Sequence, residues 1–332
     1  MTVEKASSVI IKGVGSYAPP HVLTNDDLSK IVDTSDEWIR TRTGIRERRI
    51  AKDETTSDMA TKAAQEAMRN AGVEPSEIDL LIVATVTGDH PFPSTSCVTQ
   101  HKLGLRKIPC FDLLAACSGF LYSIDTAKAL MLSGGYKKAL IIGAEKLSGI
   151  TDWDDRGTCV LFGDGAGAAV LELIDEPGCG IIAGDMGADG SEREILFVPA
   201  GGSERPASEK TIADREHFIK MQGNQVFKNA VVAMGRSAKK TLEKAGISAD
   251  EVACVVPHQA NIRIIEAISN RLGIGIERFK INLDRFGNTS AASIPIALDE
   301  AMRNSRFKSG DYILLVAFGA GLTWASTLIR WQ

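Results

Sequence analysis

The stretch FDLLAACSGF, residues 111–120, decides how the chain is read. An apolar run ends in a cysteine, Ser118 and Gly119 break the pattern, and a helical sequence over 120–132 follows directly. A thiol at the first turn of a helix meets unpaired backbone N–H groups and the positive end of the helix dipole, and both favour the thiolate. Cys117 is therefore a candidate nucleophile. Most free cysteines are small buried hydrophobes, so partners elsewhere in the chain have to carry the argument.

Working outward, residues 138–143 read as a strand and 94–103 as a helix. The run 78–87, apolar and rich in β-branched residues, reads as a strand buried on both faces. Residues 57–70 read as a helix capped by Ser57 and closed by Gly72. Further back come short helices over 25–32 and 35–42, and a strand over 9–11. The second half repeats this order. AGVEPSEIDLLIV (71–83) aligns without a gap to AGISADEVACVVP (245–257), 174 residues on, and KKALIIGA (137–144) resembles DYILLVAF (311–318). Two similar βαβαβ halves, 1–175 and 176–332, would pack sheet against sheet with helices between and outside, and their strand-end loops would meet near one place.

The repeat locates the partners. Near 290, the expected counterpart of Cys117, the sequence reads FGNTSAAS, with Asn288 beside a small-residue helix start. The loop after the strand predicted over 251–256 carries His258. Alone, that histidine could be a satisfied core residue and the asparagine a turn residue. Together with Cys117 they make a nucleophile and two hydrogen-bond donors, a set suited to thioester chemistry.

Composition narrows the class. With 332 residues, 44% hydrophobic and 24% charged, the chain can bury a sizeable core. A net charge of −4 argues against general nucleic-acid binding. The first residues carry no signal-peptide run and no stretch has membrane-span length, so a cytosolic protein is expected. Six cysteines without a C-x-x-C suggest neither zinc nor a disulfide framework, and five of them read as packing residues. FGDGAGAAV (162–170) lacks nucleotide-binding spacing and reads as a strand whose small residues permit close packing.

Across almost its whole length the sequence resembles the β-ketoacyl-acyl-carrier-protein synthase III family: DEWIRTRTGIRERR, AACSGF, FGDGAGA, NQVFKNAV, PHQANIRI, FGNTSAAS and FGAGLTW follow in family order. FGAGLTW departs from the family pattern, which has a third glycine and an aromatic there. The resemblance implies a thiolase-like five-layered αβαβα fold with the halves related by a pseudo-twofold axis. It implies catalysis by Cys117, His258 and Asn288, with the N–H groups of Cys117 and Gly319 as oxyanion hole. It also places Trp38, Arg42, Arg156, Gly157, Phe227, Ala260 and Asn261 along a CoA cleft and Phe92 at a partner subunit's acyl pocket, hence a homodimer. Lys228, Arg263 and Arg271 are candidates for docking an acidic carrier protein. The implied substrates are an acyl-CoA and malonyl-acyl-carrier protein, with no metal or cofactor and no nucleic-acid or membrane partner.

Rival readings fit less well. A papain-like hydrolase shares the Cys, His, Asn order but not the C-G-S-C-W context or the repeat. A degradative thiolase needs a second cysteine near 319–321, and elongating condensing enzymes need a second pocket histidine. A condensing or acyl-transfer relative of secondary metabolism, of polyketide or quinolone type, would carry the same three residues.

Overall fold

The computed structural model describes residues 7–304 and 307–332. Two mixed sheets make its frame. β1 (Ser8–Tyr17), β2 (Leu80–Ala84), β3 (Cys110–Leu113), β4 (Lys138–Glu145) and β5 (Gly165–Ile174) lie in the order β1-β5-β4-β2-β3. β6 (Gly180–Ala188), β7 (Val252–Pro257), β8 (Tyr312–Gly319) and β9 (Thr323–Arg330) lie in the order β7-β8-β9-β6. Strands joined through helices pair parallel, whereas β5 and β9 each pair antiparallel with both neighbours. Each sheet is therefore mixed, an arrangement the strand–helix alternation alone does not reveal. Among the described residues the second sheet has no counterpart of β3; a bridge between Val255 and Phe279 stands in its place.

Among the helices used below, α1 (Asp36–Thr43) lies at the surface near the site and α2 (Thr56–Ala71) covers the outer face of the first sheet. α3 (Gly119–Leu132) and α6 (Ser293–Arg303) lie between the sheets, and α4 (Gly223–Ala245) with α5 (Ile262–Leu272) covers the second. These are the five layers expected. The cap of α2 is Thr55, in a reciprocal pair with Asp58, rather than Ser57. Ser57 is buried, and its hydroxyl donates to Asp89. β2 ends at Ala84, short of the predicted 87, because Thr85, Val86 and Thr87 turn to hydrogen-bond Glu145.

The internal repeat reaches single residues. A 3₁₀ turn at Ala116–Ser118 feeds α3, and a second at Ser290–Ala292 feeds α6. Ala116 and Ser290, first in each turn, both have positive φ, 45° and 48°. The counterpart of Cys117 is thus Ala291, one residue beyond the position expected.

The two turns meet where β4 comes close. A Cβ on Gly143 would lie 2.3 Å from the Ala291 carbonyl oxygen, and one on Gly167 would lie 2.7 Å from Pro295 Cβ. The small residues of 162–170 do permit close packing. Gly143→Ala is expected to cost roughly 1–3 kcal/mol, because a backbone atom must give way. A lower urea midpoint at unchanged m-value is the expected reading, and an unchanged midpoint would contradict the packing argument.

Candidate active site

Cys117 follows the end of β3, where the chain leaves the sheet at the exposed Leu114 and turns through Ala116. The turn that carries Ser290 packs against its own, which brings the Ser290 hydroxyl near the thiol. The side chain keeps partial access to a cavity whose walls are mainly apolar. Burial pushes the thiol up to about 12, and the nearby Glu145 carboxyl adds to the rise. Burial thus opposes the thiolate that the helix start favours.

His258 lies just past β7, its N–H donating to the Val316 carbonyl at 2.8 Å, so the ring sits at the strand's carboxyl end. Nδ1 is 2.7 Å from the Ser293 hydroxyl, whose oxygen also accepts the Gln259 N–H at 3.3 Å. A Ser293 hydroxyl that donates to Nδ1 puts the ring proton on Nε2, the tautomer in which the ring can donate into the cavity. Burial lowers the pKa of His258 to about 4, so at neutral pH the ring is uncharged.

Asn288 is fixed by its backbone, which donates to the Leu161 carbonyl at 2.8 Å and accepts from Gly163 N–H at 3.0 Å. Its side-chain oxygen accepts the Ser290 N–H at 2.9 Å, which leaves the NH₂ to donate to a bound molecule. Gly319 closes β8 so near that a Cβ there would sit 2.7 Å from Cys117 N. The Thr323 hydroxyl donates to the Ala115 carbonyl at 2.9 Å and ties this loop to the cysteine turn.

These groups meet in one cavity of about 450 Å³. Cys117, His258 and Asn288 line it together with Trp38, Arg42, Gly157, Phe227, Ala260, Asn261 and Arg263. Arg156 stands beside the wall, its guanidinium 4.6 Å from the Trp38 ring centroid, with Arg42 at 4.8 Å. A base entering between Trp38 and Arg42 has to displace a guanidinium that already rests against the ring. Lys228 is exposed on α4 next to Phe227. Arg271 lies at the far end of α5 from Arg263, stretched over Gly235. Phe92 is 86% exposed and outside its own chain's cavity. Sequence reasoning missed the apolar wall made by Val160, Leu161, Phe162, Met221, Met234 and Phe318. The triplet before Gly163 was its one readable sign. Among the described residues no group of three or more His, Cys, Asp or Glu could hold a metal, and no helix is long and apolar enough to cross a membrane.

Two buried groups of opposite shift give the site a pH signature. His258 has a pKa of about 4 against 6.5 when unfolded, so between these values the unfolded chain binds more protons and stability rises with pH. Glu145 is raised to about 7 from 4.5 by burial, so over that window the native state binds more and stability falls with pH. Each amounts to roughly 3 kcal/mol across its window. Relative to the parent, His258→Gln is expected to lose less stability from pH 6.5 down to about 4. Glu145→Gln is expected to lose less from 4.5 up to about 7. Urea unfolding at stepped pH reads both, and three parallel pH curves would contradict them.

The family model described as 3-oxoacyl-[acyl-carrier-protein] synthase III matches residues 111–190, and the model for the C-terminal part of the same protein matches 242–331. A beta-ketoacyl-[acyl-carrier-protein] synthase III of Desulfitobacterium hafniense is 52% identical over 326 residues, 98% of each chain. The crystal structure of 3-oxoacyl-[acyl-carrier-protein] synthase III from Aquifex aeolicus superposes with a TM-score of 0.90 at 50% identity, covering 98% of this chain and 100% of that one. A priming beta-ketosynthase from the R1128 polyketide pathway also superposes at 0.90, with 36% identity over 100% of this chain and 98% of its own.

Proposed function

The chain belongs to the β-ketoacyl-acyl-carrier-protein synthase III family, and we infer that it condenses a short acyl-CoA with malonyl-acyl-carrier protein, the first carbon–carbon bond of type II fatty-acid synthesis, through an acyl-Cys117 intermediate. The observation that carries the mechanism is one cavity holding a thiol and two neutral donors, His258 and Asn288. Cys117 attacks the acyl thioester while the N–H groups of Cys117 and Gly319 hold the oxyanion, and CoA leaves. The malonyl thioester then binds with its carbonyl oxygen at His258 Nε2–H and the Asn288 NH₂. These donors stabilise the enolate formed as carbon dioxide departs, and the enolate carbon attacks the acyl group on Cys117. A charged histidine would hold the malonyl carboxylate as an ion pair, so the low pKa serves the decarboxylation. No step asks for a metal or cofactor.

Trp38 with Arg42 and Arg156 gives a cationic aromatic shelf for the CoA end, supported by their contact distances. Arg263 and Lys228 form the basic approach for an acidic carrier protein. Arg263→Glu is expected to raise KM for malonyl-carrier protein roughly tenfold while kcat holds, and to flatten its salt dependence. An unchanged KM would remove Arg263 from the docking surface. The halves 1–175 and 176–332 divide the work, the first supplying the nucleophile and the second the two donors. A homodimer in the cytoplasm completes the reading, supported by Phe92, 86% exposed, and by β3 lying at the edge of its sheet.

The 36% identical priming ketosynthase from a polyketide pathway supports one alternative, a polyketide starter reaction at the same three residues. Product analysis with acetyl-CoA and malonyl-carrier protein separates them. Efficient 3-oxoacyl-carrier protein formation with a fatty-acid carrier supports initiation of fatty-acid synthesis. Turnover confined to a polyketide carrier supports the alternative.

A further inference from the structure

The reaction above leaves one buried acid unused. Glu145 ends β4 fully buried, and four groups donate to its carboxylate: the Thr85 hydroxyl at 3.2 Å, the Thr87 hydroxyl at 2.6 Å, Val86 N–H at 3.1 Å and the Ser290 hydroxyl at 3.1 Å. The two threonine hydroxyls are committed to it, because their oxygens already accept Thr87 N–H and Lys146 N–H. No lysine or arginine pairs with it among the described residues, and the titratable group that faces it across Ser290 is the Cys117 thiol. Ser290, held at φ 48° with its N–H on Asn288, thus stands between nucleophile and carboxylate.

We propose that Ser290 and Glu145 form a proton relay that takes the thiol proton of Cys117 on acylation and returns it on condensation. Ser290 stands on the turn packed against that of Cys117, with its hydroxyl on Glu145, so it is the group placed to pass a proton between sulfur and carboxylate. On acylation the S–H proton passes to Ser290 Oγ as the Ser290 proton passes to the Glu145 carboxylate. The thiolate attacks the acyl carbonyl, and CoA leaves as a thiolate that takes a proton from solvent. On condensation the enolate carbon displaces Cys117 as a thiolate, which recovers the stored proton through Ser290. The cycle consumes one solvent proton, as loss of carbon dioxide from a carboxylate requires. The relay answers the resting state of the site, where burial keeps the thiol protonated, and a carboxyl that titrates at about 7 can give back what it takes.

The proposal rests on the acyl-Cys117 reading, so its test uses a readout that needs no substrate. Alkylation of Cys117 by iodoacetamide in the full-length protein, mapped by peptide mass spectrometry, is followed against pH for the parent, Glu145→Gln and Ser290→Ala. A Glu145 acting only as a nearby negative charge makes Cys117 more reactive when replaced by Gln. The relay makes it less reactive, on the order of 10²-fold at neutral pH, and removes the inflection near neutrality. Ser290→Ala, which leaves the other three donors to Glu145 in place, shows the same loss and remains decisive if Glu145→Gln does not fold. Equal or faster alkylation in Ser290→Ala overturns the relay. Acylation by acetyl-CoA in the same proteins tests the functional reading separately: a parent that is alkylated with the relay signature yet takes no acyl group sinks that reading alone.

Discussion

Cys117→Ala is expected to form no acyl-enzyme and to lose condensation by a factor on the order of 10⁵ or more, while still releasing carbon dioxide from malonyl-carrier protein. The division follows from the geometry. The sulfur is the group placed to carry the acyl chain, whereas His258 and Asn288 are held by partners that do not include Cys117: Ser293, Val316, Leu161, Gly163 and Ser290. Removing the thiol also removes a desolvated group from beside Glu145, so the fold is expected to stand. Intact mass after incubation with acetyl-CoA and carbon dioxide release from malonyl-carrier protein are the two readouts. An acyl adduct on the variant would place the nucleophile elsewhere, and loss of decarboxylation along with acylation would mean that the two stages are not separable.

His258→Ala is expected to do the reverse. Acylation of Cys117 should stay within a few-fold of the parent, because in the proposed mechanism the oxyanion of that step is held by the N–H groups of Cys117 and Gly319, and His258 is neutral at working pH. Decarboxylation and condensation should fall about 10²- to 10³-fold, the usual consequence of removing one donor from a developing oxyanion. Ser293→Ala probes the same hydrogen bond one step back: it frees Nδ1 to carry the ring proton, and a smaller loss in the same stage is expected. Single-turnover acylation and steady-state condensation, measured on one preparation, give both numbers. A variant equally impaired in both stages would make His258 part of the acylation machinery and contradict the assignment.

How far the sequence carries is clearest at particular residues. The match of 71–83 to 245–257 was readable because a helix end, a turn and a buried strand leave a pattern of small, acidic and β-branched residues whatever they pack against. The repeat also pointed to the turn at Ser290, within one residue of the true counterpart of Cys117. The antiparallel insertions of β5 and β9 were not legible, since pairing partners are chosen by the tertiary arrangement and not by strand pattern. The burial that opposes the thiolate was not legible, because a helix start is visible in sequence while the apolar wall around Cys117 is assembled from distant segments. Glu145 was passed over for the same reason: at the end of KKALIIGAE it looks like an ordinary charged strand end, and its four donors come from two loops.

The central claim is that one cysteine carries an acyl group from CoA to a malonyl-derived enolate. Intact-protein mass spectrometry tests it in a single tube: the protein is charged with labelled acetyl-CoA, freed of excess CoA ester, and chased with malonyl-carrier protein. The account predicts an acetyl adduct on Cys117 that disappears on the chase as the label appears in a 3-oxoacyl-carrier protein. An adduct that survives the chase, or that maps to another residue, would contradict it.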